Sequence, residues 1–125
     1  MTKQEFLEYC RSTYNTSPDY PFDEDFDTTV LRHSDNRKWY ALVMRVSRRK
    51  FGFDSDEVID VVNLKCEPML TGALRQESGI FPAYHMNKNN WVSVCLDGSC
   101  DDDKIIGLLN MSFGLTAPKI KKKTR

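Results

Sequence analysis

The chain has no apolar run near the roughly 18 residues that cross a membrane. The residues after Met1 are polar and do not resemble a signal peptide, so the expected compartment is the cytoplasm. Its 4 cysteines, Cys10, Cys66, Cys95 and Cys100, are scattered, with no CxxC pair. That excludes a zinc ribbon and a dense disulfide framework by spacing, and four free thiols in a reducing compartment are expected. His33 and His85 are the 2 histidines, and neither belongs to a Cys/His cluster. A glycine-rich phosphate loop, a GxSxG elbow and an HExxH helix are all missing, as are internal repeats. There is no net charge either, with 18 basic against 18 acidic side chains.

What is present suits a single globular domain. At 125 residues, 40% hydrophobic and 29% charged, the chain is neither a disordered polyelectrolyte nor a fibrous rod. A chain of this size buries about two-thirds of its surface on folding. The balanced charge is unevenly spread: residues 1–27 carry 2 basic and 7 acidic side chains, and residues 28–56 carry 7 and 3. Residues 57–103 carry 3 basic and 8 acidic, while residues 104–125 carry 6 basic and no acidic ones. A fold that gathered the two basic stretches on one face would make a cationic patch on a neutral protein.

The opening Thr2-Lys3-Gln4-Glu5 reads as a capping box, and Phe6, Leu7, Cys10 and Tyr14 share one face of a helix predicted over 3–14. A proline-broken acidic connection follows, over 15–27. Segments 28–34 and 38–47 are rich in β-branched and aromatic residues and flank turn chemistry, which predicts a hairpin. In its second strand Tyr40, Leu42, Met44 and Val46 are expected on one face, with Trp39, Ala41, Val43 and Arg45 on the other. A third strand is expected over 58–64. Pro68 then opens a predicted helix with Met69, Leu70, Ala73 and Leu74 facing inward and Gly79 as its stop. Residues 82–86 and 90–97 predict a second hairpin about Asn87-Lys88-Asn89. Three aspartates, Asp101 to Asp103, precede a last helix that Gly114 is expected to end. The order α-β(3)-α-β(2)-α, with hairpin links, predicts a two-layer α+β domain over 1–118 with an antiparallel sheet. Residues 119–125 form a basic tail, expected to be disordered.

No metal site can be read from spacing, although Cys66, His85 and Cys95 could meet in space. Acidic clusters such as Asp23-Glu24-Asp25 fit a solvated face better than an acid/base pair. The strings Val62-Asn-Leu-Lys-Cys-Glu-Pro68, Pro82-Ala-Tyr-His-Met-Asn-Lys-Asn-Asn-Trp91 and Asn36-Arg-Lys-Trp-Tyr-Ala-Leu42 resemble the MmcQ/YjbR family of small bacterial proteins, in matching order from Phe6 to Thr116. The resemblance implies a fold like the type III secretion chaperones and frataxin, the double-wing arrangement. It also implies DNA binding without catalysis and without a cofactor. The matched polar residues are Asn36, Arg37, Lys38, Lys65, His85, Asn87, Lys88 and Trp91. The tail cations Lys119, Lys121, Lys122 and Lys123 go beyond the family pattern.

The physics of that role is direct: a two-stranded ribbon fits the major groove, and Lys/Arg contacts to phosphate supply sequence-independent affinity. Each residue also has a structural reading. Charged turn residues are commonly only solvated, and Asn favours turns through its backbone. His85, expected on a strand beside Tyr84, could be a hydrogen-bonded structural histidine. Trp39 and Trp91 could form an aromatic platform or pack between elements. The tail binds any polyanion or serves solubility. The rivals to DNA binding are a protein- or peptide-binding module and a small-ligand or enzymatic site around Lys65, Tyr84, His85 and Trp91.

Overall fold

The structure, a computed structural model, describes residues 1–22 and 27–118. Helix α1 (Lys3–Tyr14) starts on the expected capping box: the Thr2 hydroxyl accepts from Glu5 N, and the Glu5 carboxylate accepts from Thr2 N. Strands β1 (Thr29–Arg32), β2 (Trp39–Ser47), β3 (Val58–Lys65), β4 (Ile80–Pro82) and β5 (Trp91–Cys95) form one antiparallel sheet in the order β1-β2-β3-β5-β4. Helix α2 (Thr71–Leu74) follows β3, and α3 (Asp102–Thr116) ends the described fold. This is the predicted α+β class, with three α-helices and five strands among the described residues.

Both faces of the sheet are covered. On the inner face α1 and α3 bury Phe6, Cys10, Ile105, Leu108 and Leu109 against Val43, Val62, Leu64, Val92 and Val94. On the outer face a second cluster of Val30, Leu42, Met44, Val46, Ile59, Val61 and Cys95 lies beneath Trp39, Phe51, Phe81, Tyr84 and Met86. All four cysteines are buried free thiols, and burial pushes the Cys10 and Cys95 thiols up to about 12. Cys66 belongs to the inner cluster and Cys95 to the outer one, while His85 is exposed, so the sheet separates that potential metal trio.

Four expectations are corrected, each for a physical reason. The first concerns β2. Leu31 pairs with Ala41 but Arg32 pairs with Trp39, which leaves Tyr40 as an extra residue. This bulge turns Tyr40 to the inner core beside Ala41 and sends Trp39 to the outer face, against the strict alternation expected. The ladder to β3 begins at Ala41 and Leu64, so the next pair, Tyr40 and Lys65, needs another partner. Ser112 of α3 provides it: its hydroxyl accepts from Lys65 N at 2.9 Å and donates to Tyr40 O.

The second correction concerns the middle helix. Pro68 opens a 3₁₀ turn over Pro68–Leu70, and α2 has only four residues. Of its four predicted inward residues only Leu74 is buried, and Met69 is 88% exposed. The chain must reverse early to enter β4, and Gly79 makes that possible. At φ +77 a Cβ there would stand 2.5 Å from Ser99 Oγ and 2.9 Å from Cys100 N.

The third is the strand predicted over 82–86, which lies instead at Ile80–Pro82. From Ala83 the chain lifts onto the outer face because side chains capture its backbone. Tyr84 N donates to Ser93 Oγ at 2.9 Å, Asn63 Nδ2 donates to Tyr84 O at 2.8 Å, and the Ser93 hydroxyl donates to Asn63 Oδ1.

The fourth is the end of α3, which runs past Gly114 to Thr116. The Thr116 hydroxyl donates to Ser112 O at 2.8 Å, Asn36 Nδ2 donates to Thr116 O at 2.9 Å, and Pro118 then forces Ala117 into extended backbone.

Candidate functional site

The sheet register brings most of the predicted site residues to one end. The turn after β1 carries Asn36, Arg37 and Lys38 into Trp39, the start of β2. Lys65 closes β3 opposite Trp91, and Pro82 pairs with Val92, so the 83–90 connection with His85, Asn87 and Lys88 leaves from the same end. Arg37, Lys38, His85 and Lys88 are exposed, while Lys65 and Trp91 are half-buried. Among the described residues Arg37, Lys38, Lys65 and Lys88 form no ion pair. The carboxylates on the neighbouring connections are Asp35, whose Oδ1 accepts from Asn36 N, and Glu67. The predicted tail residues Lys119, Lys121, Lys122 and Lys123 lie outside the described residues.

The polar residues divide into free and engaged groups. Asn36 is engaged at both ends of its amide: Nδ2 caps α3 at Thr116 O and Oδ1 accepts from Lys38 N. Asn87 Oδ1 accepts from Asn89 N, and Asn87 O accepts from Asn90 N and Trp91 N, so this side chain shapes a turn. Lys88 is held by its carbonyl, which accepts from Arg75 Nη2, and its ammonium has no partner among the described residues. His85 is on no strand. It occupies the left-handed region at φ 62, as Arg37 does at φ 63, a conformation costing about 1–2 kcal/mol outside glycine. At Arg37 the turn is held by Arg37 N donating to His33 O and Lys38 N donating to Asn36 Oδ1, and at His85 the preceding Tyr84 is held through both of its backbone groups.

His33, in contrast, is structural. It is buried, and its Nε2 lies 2.8 Å from Thr116 Oγ1. The Thr116 hydrogen is engaged with Ser112 O, so the ring nitrogen donates. Its ring packs on Phe113, which in turn stacks on Tyr14. Burial lowers the His33 pKa from 6.5, opposed by the Phe113 backbone and the Asp35 carboxylate.

Sequence reasoning missed Asn63, Ser93, Ser112 and Thr116, all buried and all positioning this end of the sheet. A signal existed for two of them: Asn63 and Ser93 are polar residues inside apolar strand runs, where burial demands partners.

On the outer face the 83–90 connection leaves a groove of about 410 Å³ beside β2. Leu42 and Met44 line its base, with Trp39 and Phe22 on one side and Tyr84 and His85 on the other. The Phe22 and Trp39 rings meet edge-on at 6.2 Å, the Tyr84 and His85 rings lie 3.8 Å apart, and the Arg32 guanidinium sits 5.5 Å from the Trp39 ring. Trp39 packs on the outer cluster and lines this groove with Tyr84 and His85, and Trp91 is not part of its lining. Among the described residues no group of three or more His, Cys, Asp or Glu side chains converges as metal ligands, and no helix is long and apolar enough to cross a membrane.

Known proteins are similar to this chain over most of its length. The chain is 39% identical over 116 residues to uncharacterized protein YyaQ of Bacillus subtilis (strain 168), covering 93% of this chain and 98% of that one. It is 32% identical over 114 residues to uncharacterized protein YjbR of Escherichia coli (strain K12), covering 90% of this chain and 85% of that one. A crystal structure of a Pseudomonas syringae protein superposes with a TM-score of 0.91 at 45% identity, over 94% of this chain and all (100%) of that one. A Deinococcus radiodurans protein superposes with a TM-score of 0.68 at 29% identity, over 91% of this chain and 77% of that one. The sequence model named YjbR matches residues 11–115, which span all five strands and nearly all of α3, and the chain belongs to the YjbR family.

Proposed function

We propose that this protein is a non-enzymatic DNA-binding protein whose phosphate contacts come from Arg37, Lys38, Lys65 and Lys88, with the basic tail as a second source. The observation that supports this reading is the gathering of four cations, without ion pairs among the described residues, at one end of a sheet whose other end has its two arginines, Arg48 and Arg49, paired with carboxylates. Unpaired surface cations are the groups that release counterions when they meet phosphate.

Titration of a labelled DNA duplex at several salt concentrations tests it. Four neutralised phosphates give a log–log salt slope of about −3.6, and raising salt from about 50 to about 200 mM weakens binding roughly 150-fold. The full chain shows a steeper slope if the tail contributes, and deletion of residues 119–125 brings it to about −3.6. In the chain lacking residues 119–125, Arg37→Gln, Lys38→Gln and Lys88→Gln together flatten it to about −0.9. No binding at low salt overturns the reading.

A second reading, a protein-binding module, draws on a different place. Met69, 88% exposed, and Leu70, 36% exposed, stand beside a groove of about 400 Å³ between α2 and α3. An apolar patch of this kind favours a protein partner, and a pull-down lost on Met69→Lys with DNA binding retained would favour it.

A further inference from the structure

A two-stranded ribbon would enter the major groove of a duplex, yet neither connection at the cation end stands free of the sheet. The turn after β1 is tied to the end of α3 through Asn36, and the 83–90 connection is tied down through both backbone groups of Tyr84. Tyr84 and Met86 pack on the outer cluster. What this end offers a nucleic acid is therefore a concave aromatic surface with cations around it. At about 410 Å³ the groove falls within the range of about 300–1,000 Å³ typical of ligand pockets. Its lining includes three aromatic side chains, Trp39, Tyr84 and His85, the residue types against which unstacked bases pack; the Arg32 guanidinium already lies over the Trp39 ring, and the Tyr84 and His85 rings lie against each other. Arg45 lines the same groove, exposed and without an ion pair among the described residues. The turn bearing Arg37 and Lys38 leads directly into Trp39, and Lys88 follows His85 by three residues. A duplex keeps its base faces stacked inside, where this groove cannot reach them; a single strand exposes them.

We infer that the groove between β2 and the 83–90 connection accepts an unstacked base, which makes single-stranded nucleic acid the preferred ligand of the cation end. This inference rests on the nucleic-acid reading above. Aromatic contact supplies base-dependent affinity, and the surrounding cations supply affinity common to every strand.

Four probes separate these terms: a 12-residue oligothymidylate, the ribose strand of matching length and base, an abasic strand of equal length, and a 12-base-pair duplex. Anisotropy titrations at low salt should show the oligothymidylate binding at least tenfold tighter than the abasic strand and tighter than the duplex. In Trp91→Phe, which leaves Trp39 as the single tryptophan, the oligothymidylate should quench the fluorescence and the abasic strand should not. His85→Gly removes one aromatic wall at a backbone position glycine adopts freely, so the fold is kept. It should weaken the oligothymidylate about tenfold and leave the abasic strand unchanged. The ribose strand, if it binds as the oligothymidylate does, shows that the groove takes a base from either sugar; a tenfold difference narrows the ligand to one of them. Equal affinity for normal and abasic strands, or a duplex bound more tightly than the single strand, overturns the base groove while the phosphate-binding reading stands. No binding of any probe overturns both.

Discussion

The two ends of the sheet carry similar basic residues and handle their arginines in opposite ways, while Lys50, where β2 leaves, is exposed and has no ion pair among the described residues. Where β2 leaves the sheet, Arg48 pairs with Glu57 and, at 2.9 Å, with Asp97, and Arg49 pairs with Asp56 at 2.7 Å and Asp54 at 3.5 Å. At Asp97 burial works against the charged form, but hydrogen bonds from Ser99 and Arg48 outweigh it and hold the carboxyl below its usual range. Where β2 enters, Arg37 and Lys38 have no such partners among the described residues, nor do Lys65 and Lys88 beside them. The construction differs as well. The end where β2 leaves carries four ion pairs, two of them between exposed groups, whereas the cation end is held by hydrogen bonds through the buried Ser112, Thr116, Asn63 and Ser93. The basic stretch 28–56 is thus not one patch, because the nine residues of β2 carry its two halves roughly 30 Å apart. A cation-bearing end built on buried hydrogen bonds can leave its charges unpaired without losing its shape.

The largest effect expected from breaking this comparison is at Ser112. Ser112→Ala leaves Lys65 N and Tyr40 O without their shared partner in a buried site, at a cost of about 3 kcal/mol. Urea unfolding measures it, and a loss below about 1 kcal/mol would mean that the bulge does not depend on the helix.

A pH titration of stability probes the same end. Because the folded His33 pKa lies below 6.5, the unfolded chain binds more protons between the two values, so stability rises with pH there. His33's contribution is complete above 6.5 and lost as the pH falls through its folded value. His33→Gln should flatten this part of the curve, and an unchanged slope would contradict the assignment.

The smallest effect belongs to the end where β2 leaves. Arg49→Ala removes two exposed, solvent-screened pairs and should leave the urea midpoint close to that of the parent, with nucleic-acid affinity unchanged within about twofold.

Much of this comparison was legible in the sequence. The capping box fixed α1 to its exact bounds because its signal is local. The family strings marked Asn36 through Lys38 and Lys65 through Trp91, and the register joins them. What could not be read depends on tertiary partners. Tyr40 and Trp39 exchange faces through a bulge that a helix serine sustains. Tyr84 leaves its strand for the hydroxyl of Ser93 and the amide of Asn63. Gly114 does not stop α3, because Ser112 before it and Thr116 beyond it are bound to the sheet side of the fold. Which cations are neutralised likewise depends on whether a carboxylate lies across the strands from them.

The most direct test of the comparison is a map of amide shifts in isotopically labelled protein as an oligonucleotide is added at low salt. The account predicts shifts at residues 36–39, 64–66 and 83–91, with residues 48–56 unmoved. Shifts centred on 48–56, or spread evenly over both ends, would contradict it.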